Sequence, residues 1–131
     1  MPELTGVAHV ALTVTDVARS AALYKDLFGL QTVVSGEDQY GAIEVMASDR
    51  LMIGLRAHKT TAASDRFDPA RVGLDHVAFN VDSVEELEKW RARLDELNVS
   101  HSGVQPDDYG THLNAKDPDG IAIEFYVLPG A

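Results

Sequence analysis

The 131-residue sequence predicts an α+β fold built from two diverged copies of one strand–helix–strand unit, each closed by a hairpin. Two internal matches carry this expectation. VAHVALTVTDVARS (7–20) superposes on LDHVAFNVDSVEEL (74–87) with a shift of 67, which places His9 on His76, Val10 on Val77 and Ala11 on Ala78. AIEVMASDRLMIGLR (42–56) superposes on HLNAKDPDGIAIEFY (112–126) with a shift of 70, which places Asp49 on Asp119, Ile53 on Ile123 and Gly54 on Glu124. The chain then reads as one domain over 1–131, with a first module over 1–57, a polar linker over 58–72 and a second module over 73–131.

Each half repeats the same order of elements. An alternating strand comes first (7–14 and 74–81). A helix follows, capped by Asp16 and ended by Gly29 in the first half, and opened by a Ser83/Glu86 capping box in the second. Apolar residues recur at helical spacing: Val17, Ala21, Tyr24 and Phe28, then Val84, Leu87, Trp90, Leu94 and Leu97. A short strand (about 31–35 and 99–104) leads into a hairpin that turns near Ala47–Arg50 and Asp117–Gly120. The Asp-Pro-Asp-Gly turn is a strong reversal signal.

Composition narrows the function classes. A formal charge of -10 disfavours nucleic acid and anionic membranes and suits neutral or cationic partners, although it also serves solubility alone. The absence of cysteine removes disulfides, thiolate ligands and cysteine nucleophiles and is compatible with a cytoplasmic location. No apolar run approaches the roughly 18 residues of a membrane span, and the N-terminus does not read as a signal peptide.

Alternation along strands sorts side chains into two faces. Val10, Leu12, Val14, Val77, Phe79, Val81, Ile121, Ile123 and Phe125 are expected beneath the helices, and with them Ile43, Val45, Leu51, Ile53, Leu55, Leu113 and Ala115. The other face then carries His9, His76, Glu124, Tyr40, Glu44, Arg56, Asn80, His112 and Tyr126. Two imidazoles at equivalent positions plus one carboxylate suit a divalent iron, manganese, zinc, cobalt or nickel ion with open positions for substrate. From spacing alone, hydrogen-bonded strand histidines and an exposed glutamate account for the same residues.

The segments AHVALTV, DVARSAALYKDLFGL, DHVAFNV and DPDGIAIEFY resemble the vicinal oxygen chelate superfamily over nearly the whole chain. This group includes glyoxalase I, methylmalonyl-CoA epimerase, type I extradiol dioxygenases, fosfomycin-modifying enzymes and bleomycin-resistance proteins. The resemblance implies paired βαβββ modules whose mixed sheets curl into a cup with helices outside, and often a homodimer. It also implies metal ligands at His9, His76 and Glu124. The departures matter as much. Gly54 stands where glyoxalase I and the epimerase carry a fourth ligand, Ala11 where fosfomycin enzymes carry threonine, and Asn114 where extradiol dioxygenases carry tyrosine.

The chemistry so implied is bidentate capture of a small oxygenated substrate through two adjacent oxygens, with the ion as Lewis acid. Glu44 is the first candidate base, with Tyr40 and His112 behind it; a solvated strand residue is the other reading of Glu44. Arg56, Asn80 and Tyr126 are the expected substrate contacts, although for Arg56 a rim arginine paired with a nearby acid is the favoured reading. Trp90 is expected in the helix core, and His58 and His101 in exposed loops. The alternative function is a metal-free protein that sequesters an antibiotic, as bleomycin-resistance proteins do.

Overall fold

A computed structural model describes residues 1–130. Its elements run β1 (Val10–Thr13), α1 (Val17–Phe28), β2 (Gln31–Asp38), β3 (Gly41–Ala47), β4 (Met52–His58), β5 (Val77–Asn80), α2 (Val84–Glu96), β6 (His101–Asp107), β7 (Gly110–Lys116) and β8 (Ala122–Val127). The α+β class and the two βαβββ modules are therefore present. The chain divides into two compact units between Asp65 and Arg66, inside the expected linker. Among the described residues, no helix is long and apolar enough to cross a membrane.

The first unit holds a four-stranded mixed sheet in the order β1-β4-β3-β2, with β1 parallel to β4 and the other pairs antiparallel. One face packs on α1. Its core is Leu12, Val14, Ala21, Tyr24, Leu27, Leu30, Met46, Ile53 and Leu55. Asp16 caps α1 by accepting a hydrogen bond from the Arg19 amide at 3.1 Å, and Gly29 ends it in the left-handed region at φ 67°.

The second unit repeats this plan as β5-β8-β7-β6. Its core is Val81, Leu87, Leu94, Leu113, Ala115, Ile121, Ile123, Phe125 and Val127. Trp90 stacks on Phe125 with ring centroids 4.8 Å apart, so it belongs to the helix–sheet contact as expected. Half of the capping box forms as written: Ser83 Oγ accepts from the Glu86 amide at 3.1 Å, while the Glu86 carboxylate pairs with Lys89 at 2.6 Å. In the turn after β7, Asp117 Oδ1 accepts from the amides of Asp119 and Ile121 at 2.9 and 2.8 Å, which fixes the start of β8.

Two expectations need correction. The opening strands are shorter than 7–14 and 74–81: their ladders to β4 and β8 run only through Val10–Thr13 and Val77–Asn80. His9 and His76 therefore enter the strands rather than lie within them. The second correction concerns faces. The match over 42–56 and 112–126 is not gapless. Ala47 pairs with Met52 across the first hairpin and Lys116 with Ala122 across the second, so the second turn is one residue longer. The shift is thus 69 before the turn, with Gly41 matching Gly110, and 70 after it, with Gly54 matching Glu124. A slip of one residue exchanges the faces of a strand. In β3 the side chains of Ile43 and Val45 consequently leave the helix side, and Glu44 and Met46 take their places there.

Candidate functional sites in the two modules

The second module presents an open cavity of about 550 Å³ on the sheet face away from α2. His76 and Glu124 both line it, with Asp75, His101, Ser102, Asn114 and Lys116. The register explains the grouping: Ala78 pairs with Glu124, Asn114 with Glu124, and Lys116 with Ala122, so these side chains share one face. His76 Nδ1 lies 2.7 Å from Asp75 Oδ1. That contact leaves Nε2 as the ring nitrogen available to an ion, and a carboxylate on the far nitrogen is the usual support of a metal-ligating imidazole.

His112 and Tyr126 are cross-strand partners on the same face. His112 Nδ1 lies 3.1 Å from Asn114 Nδ2, and Nε2 lies 3.2 Å from Asp107 Oδ2. Both ring nitrogens of His112 thus have a polar partner, the Asn114 amide on one side and the Asp107 carboxylate on the other. Burial, with the nearby Asp107 and Glu124 carboxylates, pushes the Tyr126 phenol above its usual range. Asn80 pairs with Tyr126 in the β5–β8 ladder and is exposed.

The first module presents a smaller cavity of about 250 Å³ at the equivalent place, lined by His9, Ala11, Ile43, Val45, Met52, Gly54, Leu55 and Arg56. Ala11 pairs with Gly54 just as Ala78 pairs with Glu124, so the asymmetry between Gly54 and Glu124 read from the sequence is a property of the fold. The guanidinium of Arg56 is bound by both oxygens of Asp38 at 2.7 Å each and lies 5.7 Å from the Tyr40 ring centroid. The hydrogen bond from Arg56 holds the Asp38 carboxyl well below the usual carboxylate range. Tyr40 is thus a turn residue stacked against this pair.

Glu44 is displaced from the expected face. It lies on the α1 side, 3.1 Å from Lys25 Nζ, and accepts a hydrogen bond from Thr32 Oγ1 at 2.7 Å. Burial raises its carboxyl, but the bonds from Thr32 and Lys25 outweigh that and lower its pKa. It pairs across the sheet with Leu55, a core residue, whereas Val45 pairs with Gly54.

Several residues escaped sequence reasoning. His101 opens β6, keeps only 15% of its side chain exposed, lies 2.6 Å from Asp95 and lines the larger cavity; it is not an exposed loop residue. Asp38 and Asp107 lead two copies of a tight turn, Asp-Gln-Tyr-Gly and Asp-Asp-Tyr-Gly, which the shift of 69 would have revealed. Each aspartate accepts from the tyrosine amide of its own turn and also reaches a residue of the cavity face, Arg56 or His112.

Among the described residues, no group of three or more His, Asp or Glu side chains is clustered closely enough to hold an ion. Comparison with known proteins supplies the remaining context. The family model described as Glyoxalase/Bleomycin resistance protein/Dioxygenase superfamily matches residues 6–125. YaeR of Escherichia coli strain K12, described as uncharacterised, is 33% identical over 135 aligned positions, covering 94% of this chain and 96% of its own. The metallothiol transferase FosB of Staphylococcus epidermidis is 26% identical over 126 positions, covering 95% and 82%. A crystal structure of a glyoxylase/bleomycin resistance protein/dioxygenase domain from a Frankia species superposes with a TM-score of 0.87 at 31% identity, covering 96% of this chain and 99% of that one. The fosfomycin resistance protein FosX of Listeria monocytogenes shares the fold, with a TM-score of 0.72 at 20% identity over 95% and 91% of the two chains. The chain belongs to the glyoxalase/bleomycin resistance protein/dioxygenase superfamily.

Proposed function

We propose that this protein is a metal-dependent enzyme that holds a divalent ion through His9, His76 and Glu124 and binds a small substrate through two adjacent oxygens. The observation that carries this reading is the second-module cavity, where His76 and Glu124 line one concavity and Asp75 holds the Nδ1 side of the imidazole. The donor set fits a borderline divalent ion: neutral imidazole, carboxylate, and an acidic neighbour that fixes the ring. His9 completes the set in the pattern that the family resemblance implies. A FosX variant of the same fold was crystallised with Mn(II) and 1S,2S-dihydroxypropylphosphonic acid, a ligand with neighbouring oxygens, which supports the same reading here.

A bound ion would supply Lewis-acid stabilisation of negative charge developing on substrate oxygen. The chain's own residues supply the rest. Asp75 orients His76. Asn114 and Lys116 line the cavity and offer an amide and an ammonium to substrate oxygens. His112, linked to Asn114, is the proposed proton carrier; its ring is set by Asp107 on one side and Asn114 on the other. Tyr126, whose phenol stays protonated at neutral pH, is the proposed hydrogen-bond donor beside it. Glu44 has no part in this scheme, since it faces α1.

The test is calorimetric titration of the purified apoprotein with Mn(II), Zn(II), Ni(II) and Co(II). Stoichiometric binding that is lost in His76→Ala and Glu124→Gln is expected. A protein that binds a flat organic antibiotic but none of these ions would instead be a sequestering protein.

A further inference from the structure

The two modules differ at the positions that line their cavities. With the corrected register, Ile43 stands where the second module has His112, Val45 where it has Asn114, and Gly54 where it has Glu124. The second cavity is polar, whereas the first is apolar apart from His9 and Arg56, and Arg56 is already held by both oxygens of Asp38. An ion-paired arginine offers little to an anionic ligand, so the first cavity favours an uncharged occupant.

Gly54 itself is not demanded by the backbone. It sits within β4, paired to Ala11 on one side and Val45 on the other, and its φ lies outside the left-handed region. A Cβ built there would meet nothing closer than Ala11 Cβ at 3.8 Å, which is ordinary contact. A glycine inside a strand weakens it and often marks a place where a ligand approaches the backbone closely. The open concavity it leaves, about 250 Å³, has room for a group the size of a phenyl ring.

We propose that the first-module cavity, kept open by Gly54 and walled by Ile43 and Val45, is an apolar subsite that receives an uncharged hydrophobic substituent of the ligand bound at His9. The proposal rests on the reading of His9 as a metal ligand, because His9 lines this cavity together with Ile43, Val45 and Gly54. It makes the substrate an oxygen chelator with a hydrophobic side arm, and Gly54 a determinant of how large that arm is.

The test uses glycolate and mandelate, which share one pair of adjacent oxygens and differ by a phenyl ring, titrated into Co(II)-loaded protein. The wild type should prefer mandelate by about tenfold or more, the scale of burying part of a ring. Gly54→Leu should lose that preference, and Val45→Asn, which puts the second module's residue at this place, should lose it without filling space. A wild type with no preference, or a preference that survives both substitutions, overturns the proposal. A second arm uses the metal-free protein: benzyl alcohol should shift the Met52 methyl resonance in the wild type and not in Gly54→Leu. If that shift appears but no ion binds, the subsite stands and the metal reading fails. If ions bind and neither probe distinguishes the variants, the subsite fails and the metal reading stands.

Discussion

Replacing Glu44 by glutamine separates a structural carboxylate from a catalytic one. In the folded protein Glu44 Oε2 lies 3.1 Å from Lys25 Nζ and 2.7 Å from Thr32 Oγ1, with only 12% of its side chain exposed. Glutamine keeps the shape and one acceptor oxygen but loses the charge. Charge-assisted hydrogen bonds are worth about 1–1.5 kcal/mol more than neutral ones, and Lys25 is exposed enough for solvent to screen part of that, leaving a cost of about 1 kcal/mol. For a chain of this size the melting temperature should fall by about 3–5 °C at pH 7. The pH dependence follows from the lowered pKa. The stabilisation by Glu44 is fully present above its ordinary value of 4.5 and is lost as pH falls through the lower folded value. Circular-dichroism melts of wild type and Glu44→Gln should therefore differ at neutral pH and converge in acid. Metal affinity should be the same in both. A variant with unchanged melting temperature but impaired ligand binding or turnover would refute the placement of Glu44 under α1.

Three other outcomes follow from the same geometry. Asp75→Ala should weaken divalent-ion affinity by about 10- to 100-fold, read by calorimetry, with little change in melting temperature because Asp75 is exposed. Gly54→Ala should stabilise the protein by about 0.5–1 kcal/mol in denaturant titration, since alanine fits the space and the strand conformation. Gly110→Ala should instead destabilise by about 2 kcal/mol or more in the same titration, because φ is 149° there and a Cβ would run into the Val127 carbonyl oxygen and crowd the Tyr126 ring.

The duplication, both helices with their caps, and the helix-side residues of β4, β7 and β8 were all legible in the sequence, because period and cap chemistry are local signals. The equivalence of Gly54 and Glu124 in the two modules was legible too, because both lie after the hairpin turn. The faces of β3 were less so. The two turns differ by one residue, and alternation alone put the branched pair Ile43 and Val45, rather than Ala42, Glu44 and Met46, beneath a helix; the shift of 69 between the Asp-Gln-Tyr-Gly and Asp-Asp-Tyr-Gly turns is the sequence signal that carries the correct register. The Glu44–Lys25 pair settles the matter in three dimensions, as Lys25 belongs to α1. Asp75 was invisible for another reason: an exposed acid beside a histidine acquires meaning only when its oxygen is found 2.7 Å from Nδ1. The same holds for Arg56, whose partner Asp38 lies eighteen positions away and becomes adjacent only through the β3–β4 hairpin.

The metal reading rests on three side chains, and one measurement bears on them together. Mn(II) titration followed by electron paramagnetic resonance counts bound ions directly in the wild type and in His9→Ala, His76→Ala and Glu124→Gln. One ion per chain in the wild type, with binding weakened at least tenfold in each variant, is the predicted result. Binding that is absent from the wild type, or equally tight in all four proteins, would contradict it.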